Sequence, residues 1–276
     1  MKRTGNWMSI LLLIVWLPTI PAVAGDGRKR ISSMAQSSGE AEAIEAEILF
    51  GRELAARILG AYGLDEDTEL NRYVNLVGRA TALHSGRPEL IYYFGVLASD
   101  DINAYAAPGG YVFITRGALL KMANEAQLAG VLGHEIAHIT ERHVIRELNI
   151  KGEDRSAVAG IAGLIGGATG GAVKSLEQAM DRAADILFRE GYKVTDEIEA
   201  DRIGMLMAAS AGYDPAALKQ FLTEAGRFEV EDRNYQGDYP LHRVRFAAMD
   251  AVLTAGGLAQ MKNATVAERF HENVIH

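Results

Sequence analysis

The chain has 276 residues, is 49% hydrophobic and 23% charged, and carries a net charge of −8. That is enough apolar material for one large or two small domains with a proper core, and the acidic balance excludes a nucleic-acid partner as the expectation. The absence of cysteine excludes disulfides, a thiol nucleophile, a cysteine zinc site and a lipobox.

In chain order, Lys2 and Arg3 precede an apolar run from Met8 to Ile20, and "AVA" at Ala22–Ala24 is followed by the charged "DGRKR". This is the pattern of an export signal, residues 1–24, since the run is short for a membrane span of about 20 residues. Its removal leaves 26 cations against 36 anions, a net −10. Export to a bacterial periplasm is the expected location, and a membrane association is left open. Residues 25–40 are polar and rich in Ser and Gly, a flexible leader, and residues 41–276 form the remaining domain.

Apolar residues recur at helical spacing from Ala41 to Leu59 and again from Asp67 to Leu83. Leu90–Ser99 is short and rich in aromatic and aliphatic residues, hence a strand. Asn103–Thr115, "NAYAAPGGYVFIT", reads as strand, Pro-Gly-Gly break, strand, which suits a hairpin or sheet edge. Asn124 followed by Gln127 is a capping-box-like start for a helix running to about Leu148.

That helix contains "VLGHEIAHITERH". Residues four apart stack on one helix face, so His134 and His138 present two imidazoles to one point. A catalytic zinc site takes three protein ligands, and Glu135, beside the first His, can act on a water as general base. The third ligand is not supplied by His143: it follows His138 by five residues, which on a continuous helix turns it away from the metal face, and it reads as a structural or surface histidine. "TDEIEADRIG", Thr195–Gly204, offers Glu197 and Asp201 at i, i+4 on one face, one for the metal and one for a ligand histidine. The alternative is two solvated acids near a helix N-terminus, where negative charge is favourable. Glu199 is rotated off that face.

Between these elements lies the uncharged, Gly-rich run Ala157–Val173. It is expected to cover the active site or touch the membrane, or else to form a buried helical hairpin or a membrane span. Helices follow from Ser175, from about Thr195 to Ala211, around Ala216–Phe228 and around Leu241–Leu253. His84, His271 and His276 read as surface residues, and Met205 and Met207 as core.

These motifs resemble metallopeptidase family 48, which includes CAAX prenyl proteases, HtpX-like and Oma-like proteases and the periplasmic BepA/LoiP-like minigluzincins. The resemblance rests on "LFGRELAARI", "NAYAAPGGYVFITRGAL", "LAGVLGHEIAHITERH", "EIEADRIG" and "AGYDPAAL" in this order. It implies a mostly helical α+β zincin (gluzincin-like) domain with a small sheet whose edge strand lines the active-site cleft. It also implies one Zn2+ held by His134, His138 and Glu197, with Glu135 as general base and Asp201 completing the ExxxD pair. The implied substrate strand carries Asn103, Ala104, Tyr105, Gly109 and Gly110, since an extended chain can add to such an edge. Relatives of the periplasmic kind carry a His-Pro pair where this chain has "DYPLHRVRF"; here Tyr239 or His242 could donate to the oxyanion, against capping or packing roles, and Arg245 makes an ion pair near the site. The expected activity is zinc-dependent endoproteolysis of unfolded or misassembled envelope proteins; the alternative is a self-inhibited, chaperone-like client binder.

Overall fold

A computed structural model describes residues 38–148, 170–231, 239–255, 257–261 and 263–275. The expected signal, the leader up to residue 37 and most of the Gly-rich run lie outside the described residues.

The chain opens with two helices, α1 (Ser38–Tyr62) and α2 (Thr68–Ala82), as the periodicity requires. The second is started by Asp67, whose carboxylate accepts from the Leu70 N–H at 2.9 Å. Three strands follow: β1 (Tyr93–Leu97), β2 (Ala104–Ala107) and β3 (Tyr111–Thr115). Their spatial order is β1-β3-β2, with β1 parallel and β2 antiparallel to β3. The hairpin is therefore present, in the register Ala104↔Ile114 to Ala107↔Tyr111, and β2 is an edge strand of the sheet.

After the short α3 (Arg116–Lys121) comes α4 (Glu125–Thr140), in which every residue from Glu125 to Ile139 is buried. Its start is reciprocally capped: Asn124 accepts from the Gln127 N–H, and Gln127 reaches back to the Ala123 N–H. The remaining elements are α5 (His143–Glu147), α6 (Gly170–Asp185) with a π-turn at Ile186–Glu190, α7 (Val194–Ser210), α8 (Ala217–Glu231), α9 (Tyr239–Ala255) and α10 (Ala267–Val274). The fold is the mostly helical α+β arrangement that the sequence leads one to expect. Among the described residues no helix is long and apolar enough to cross a membrane.

The helix expected to run from Asn124 to Leu148 divides instead. α4 ends at Thr140, and Arg142 adopts a left-handed conformation (φ 55°, ψ 40°) before α5. Two charged contacts accompany the break. The Arg142 Nε donates to Glu47 of α1 at 3.0 Å, and Arg87, itself paired with Glu47, sends Nη1 toward the Ile139 carbonyl at the end of α4.

α4 and α7 cross at close range. A Cβ on Gly133 would lie 2.8 Å from the Gly204 carbonyl oxygen, and one on Gly204 would lie 2.6 Å from the His134 nitrogen. Only two glycines let these backbones meet so closely. The core around them is formed by Leu128, Leu132, Ile136 and Met205, with Met207 also buried, so both methionines are core residues as read from the sequence.

Candidate metal centre

α4 and α7 place the two halves of the site face to face. His134 and His138 project their Nε2 atoms to points 3.0 Å apart, and these lie 3.5 and 3.7 Å from the two carboxylate oxygens of Glu197. In a tetrahedral site with bonds of about 2.0–2.1 Å, ligand atoms sit roughly 3.3 Å from one another. The three side chains therefore lie close enough together to hold a single divalent metal ion, and the donor set of two imidazoles and one carboxylate suits zinc-like chemistry.

The ligands are held from behind. Asp201, one turn after Glu197 on α7 and almost fully buried, stands 2.9 Å from His134 Nδ1. A carboxylate there fixes the imidazole with Nε2 facing the metal. Arg245 of α9 donates to both Asp201 oxygens at 2.8 Å and sits 2.9 Å from Glu197. Burial alone would raise the Asp201 pKa, but Arg245 and His134 outweigh it and hold the carboxyl below its ordinary range. Likewise, burial disfavours charge on His134, and Asp201 reverses the balance so that its pKa is raised. His138, whose Nδ1 meets His143, is pushed well below the ordinary histidine value, first by burial and then by neighbouring His134 and His143.

Glu135 is buried beside His134 and lines the cleft. Burial lifts its pKa to about 7, so the carboxyl can take and return a proton near neutrality.

The cleft is about 440 Å³. Its floor is His134, Glu135 and His138; one wall is Ile102–Ala106 at the free side of the sheet, and an apolar end is formed by Val131, Leu218, Phe221 and Leu222. Asn103, Ala104 and Tyr105 border the cleft. The Asn103 amide donates to the Tyr105 hydroxyl at 2.9 Å, and that hydroxyl also meets Tyr62 at 2.6 Å.

Gly109 and Gly110 do not belong with them. Both are buried in the hairpin turn with φ of +77° and +107°, against the backbones of Ile48 and Ile91, and neither lines the cleft. They make the turn between β2 and β3, apart from the residues that line the cleft. Tyr239 and His242 fall in the first turn of α9, and the roles expected of their side chains lie outside what is described.

His143 is fully buried and close to the site. The left-handed Arg142 turns the chain back, so that His143 Nδ1 comes 2.7 Å from His138 Nδ1. The continuous-helix assumption behind its expected rotation fails at that one residue, although His143 is not one of the three converging ligands. Tyr192 was not singled out by any pattern. Its ring stacks on His138 at 4.0 Å between centroids and lines the cleft, an arrangement that no spacing rule within a helix could reveal. His84 and His271 are exposed.

Comparison with known proteins decides the family. The profile of peptidase family M48 matches residues 68–253, which include both halves of the site and all three strands.

The chain belongs to peptidase family M48.

Among its relatives in that family, the putative beta-barrel assembly-enhancing protease of Vibrio cholerae is 29% identical over 221 residues, 78% of this chain and 45% of the relative. The beta-barrel assembly-enhancing protease of Escherichia coli K12 is 29% identical over 222 residues, 79% of this chain and 45% of the relative. The mitochondrial metalloendopeptidase OMA1 of Bos taurus is 32% identical over 143 residues, 49% and 26% of the two chains. The M48 chain described here therefore spans less than half the length of these curated relatives.

Proposed function

We propose that this M48 chain is an exported, zinc-dependent endopeptidase that cuts unfolded or misassembled polypeptides of the bacterial envelope. The observation that carries the reading is the convergence of His134, His138 and Glu197 at the foot of a cleft whose wall is an edge strand. The relatives named for beta-barrel assembly support the envelope setting, and the export pattern of residues 1–24 agrees with it.

His134, His138 and Glu197 would hold the zinc. When bound, it supplies Lewis acidity that polarises the scissile carbonyl and acidifies water. Glu135 takes the proton of the attacking water and hands it to the leaving amine, for which a pKa near 7 is suited. Asp201 and Arg245 keep His134 and Glu197 in place during this exchange. An extended substrate would lie along β2 and pair with its free backbone groups, which selects for unfolded segments more than for sequence. The apolar end at Val131, Leu218 and Phe221 would accept a nonpolar side chain.

Incubation of the purified protein with unfolded casein, with and without a chelator, tests the reading. Chelator-sensitive fragments are expected. A stable casein complex with no fragments would instead favour the client-binding alternative.

A further inference from the structure

The two histidines are held by different means. His134 has Asp201 directly behind it, whereas His138 has another histidine. His138 turns Nε2 toward His134 and Glu197, so the hydrogen of its ring, in the metal-binding state, is on Nδ1. Among the described residues that Nδ1 faces His143 Nδ1 at 2.7 Å, and a hydrogen bond between the two requires the His143 atom to accept. The proton of neutral His143 then resides on Nε2, which faces Glu199 at 3.3 Å.

Glu199 is in turn held by Arg146, whose guanidinium stands 3.4 Å from it and 2.7 Å from Asp196. His143, Asp196 and Glu199 also converge closely enough for a second metal ion. Arg146 already pairs with both acids there, and His143 uses its Nε2 hydrogen for Glu199, so the cluster is read here as part of the support for His138.

We propose that His143 is a positioning residue that fixes the metal-binding tautomer and orientation of His138 through the chain Glu199, His143 Nε2–H, His143 Nδ1, His138 Nδ1–H. The proposal rests on the reading of His134, His138 and Glu197 as the metal ligands. It makes α7 the source of both the metal carboxylate, Glu197, and the anchor of the relay, Glu199. It also gives the left-handed Arg142 a function, because an unbroken helix would carry His143 away from His138.

The test compares Zn2+ affinity, by chelator competition, for the wild type, His143→Leu and His143→Asn, together with nitrogen NMR of the imidazoles in the zinc-loaded wild type. Leu fills the space but accepts nothing, and loss of such a supporting partner costs roughly 10- to 100-fold in metal affinity. Asn presents its carbonyl oxygen near the position of Nδ1 and is expected to recover most of that loss, which a space-filling role would not produce. In the spectra, His138 is expected to carry its hydrogen on Nδ1 and His143 on Nε2. Wild-type affinity in His143→Leu, an equal loss in both variants, or a His143 hydrogen on Nδ1 would overturn the proposal. The spectra decide it alone if the variants fail to fold. Casein cleavage by the wild type is scored separately: its absence, with the expected tautomers, removes the peptidase reading and leaves the relay standing.

Discussion

Replacing Gly204 by Ala puts a single methyl group where α7 crosses α4. The added Cβ would be 2.6 Å from the His134 nitrogen, 2.8 Å from its Cα and 2.9 Å from the Gly133 carbonyl carbon. The nearest contact falls about 0.8 Å short of the 3.4 Å at which ordinary contact begins. All three atoms are backbone in a fully buried helix, so no side chain can swing aside and the helices must part. Overpacking of this kind costs about 1–3 kcal/mol, or roughly 2–12 °C in melting temperature for a domain of this size. The larger consequence is chemical. Glu197 and Asp201 ride on α7 and would be drawn back from His134 and His138, and a displacement approaching 1 Å can lower the rate about 100-fold. Calorimetry, zinc competition and casein cleavage on the same preparation measure all three effects. A variant that melts, binds zinc and cleaves like the wild type would show that the crossing does not set the site's geometry.

Other consequences are equally open to measurement. Glu197→Ala should release the metal, read by elemental analysis of dialysed protein; full zinc occupancy would place the third ligand elsewhere. Arg245→Gln removes the guanidinium behind Asp201 and Glu197, and should lower zinc affinity while leaving the strands and α4 intact by circular dichroism. Acid stability should depend on Glu125, which is buried at the start of α4 and accepts from Arg269, Tyr213 and Tyr73. Burial by itself would raise its pKa, but these three donors outweigh it and hold it below 4.5. The stabilisation is therefore complete above that pH and is lost as the pH falls through the lowered value. Melting temperature in Glu125→Gln should be reduced at pH 7 and less dependent on pH below 4.5; an unchanged acid profile would contradict this.

Much of this was legible in the residues because the informative patterns are local. The i, i+4 spacing of His134 and His138, the same spacing of Glu197 and Asp201, and the Pro-Gly-Gly break after Ala107 each constrain a single element, and each element forms. Juxtapositions between elements were not legible. That Tyr192 lies flat on His138 depends on the path of the chain into α7. That His143 meets His138 depends on one left-handed residue, Arg142, for which the sequence offers neither glycine nor asparagine as a signal. The pair of glycines at the crossing did leave a trace: Gly133 immediately precedes His134, and Gly204 follows Asp201 by three. Read together, a glycine in each half of a two-helix site is a cue for close backbone contact.

The most direct test of the central claim is Glu135→Gln. The substitution preserves size and removes the group that takes the proton, while His134, His138 and Glu197 remain. One zinc per chain is expected, as in the wild type, with casein cleavage reduced by about 100- to 10,000-fold, the range that general acid–base catalysis supplies. Zinc retained with wild-type cleavage would contradict it.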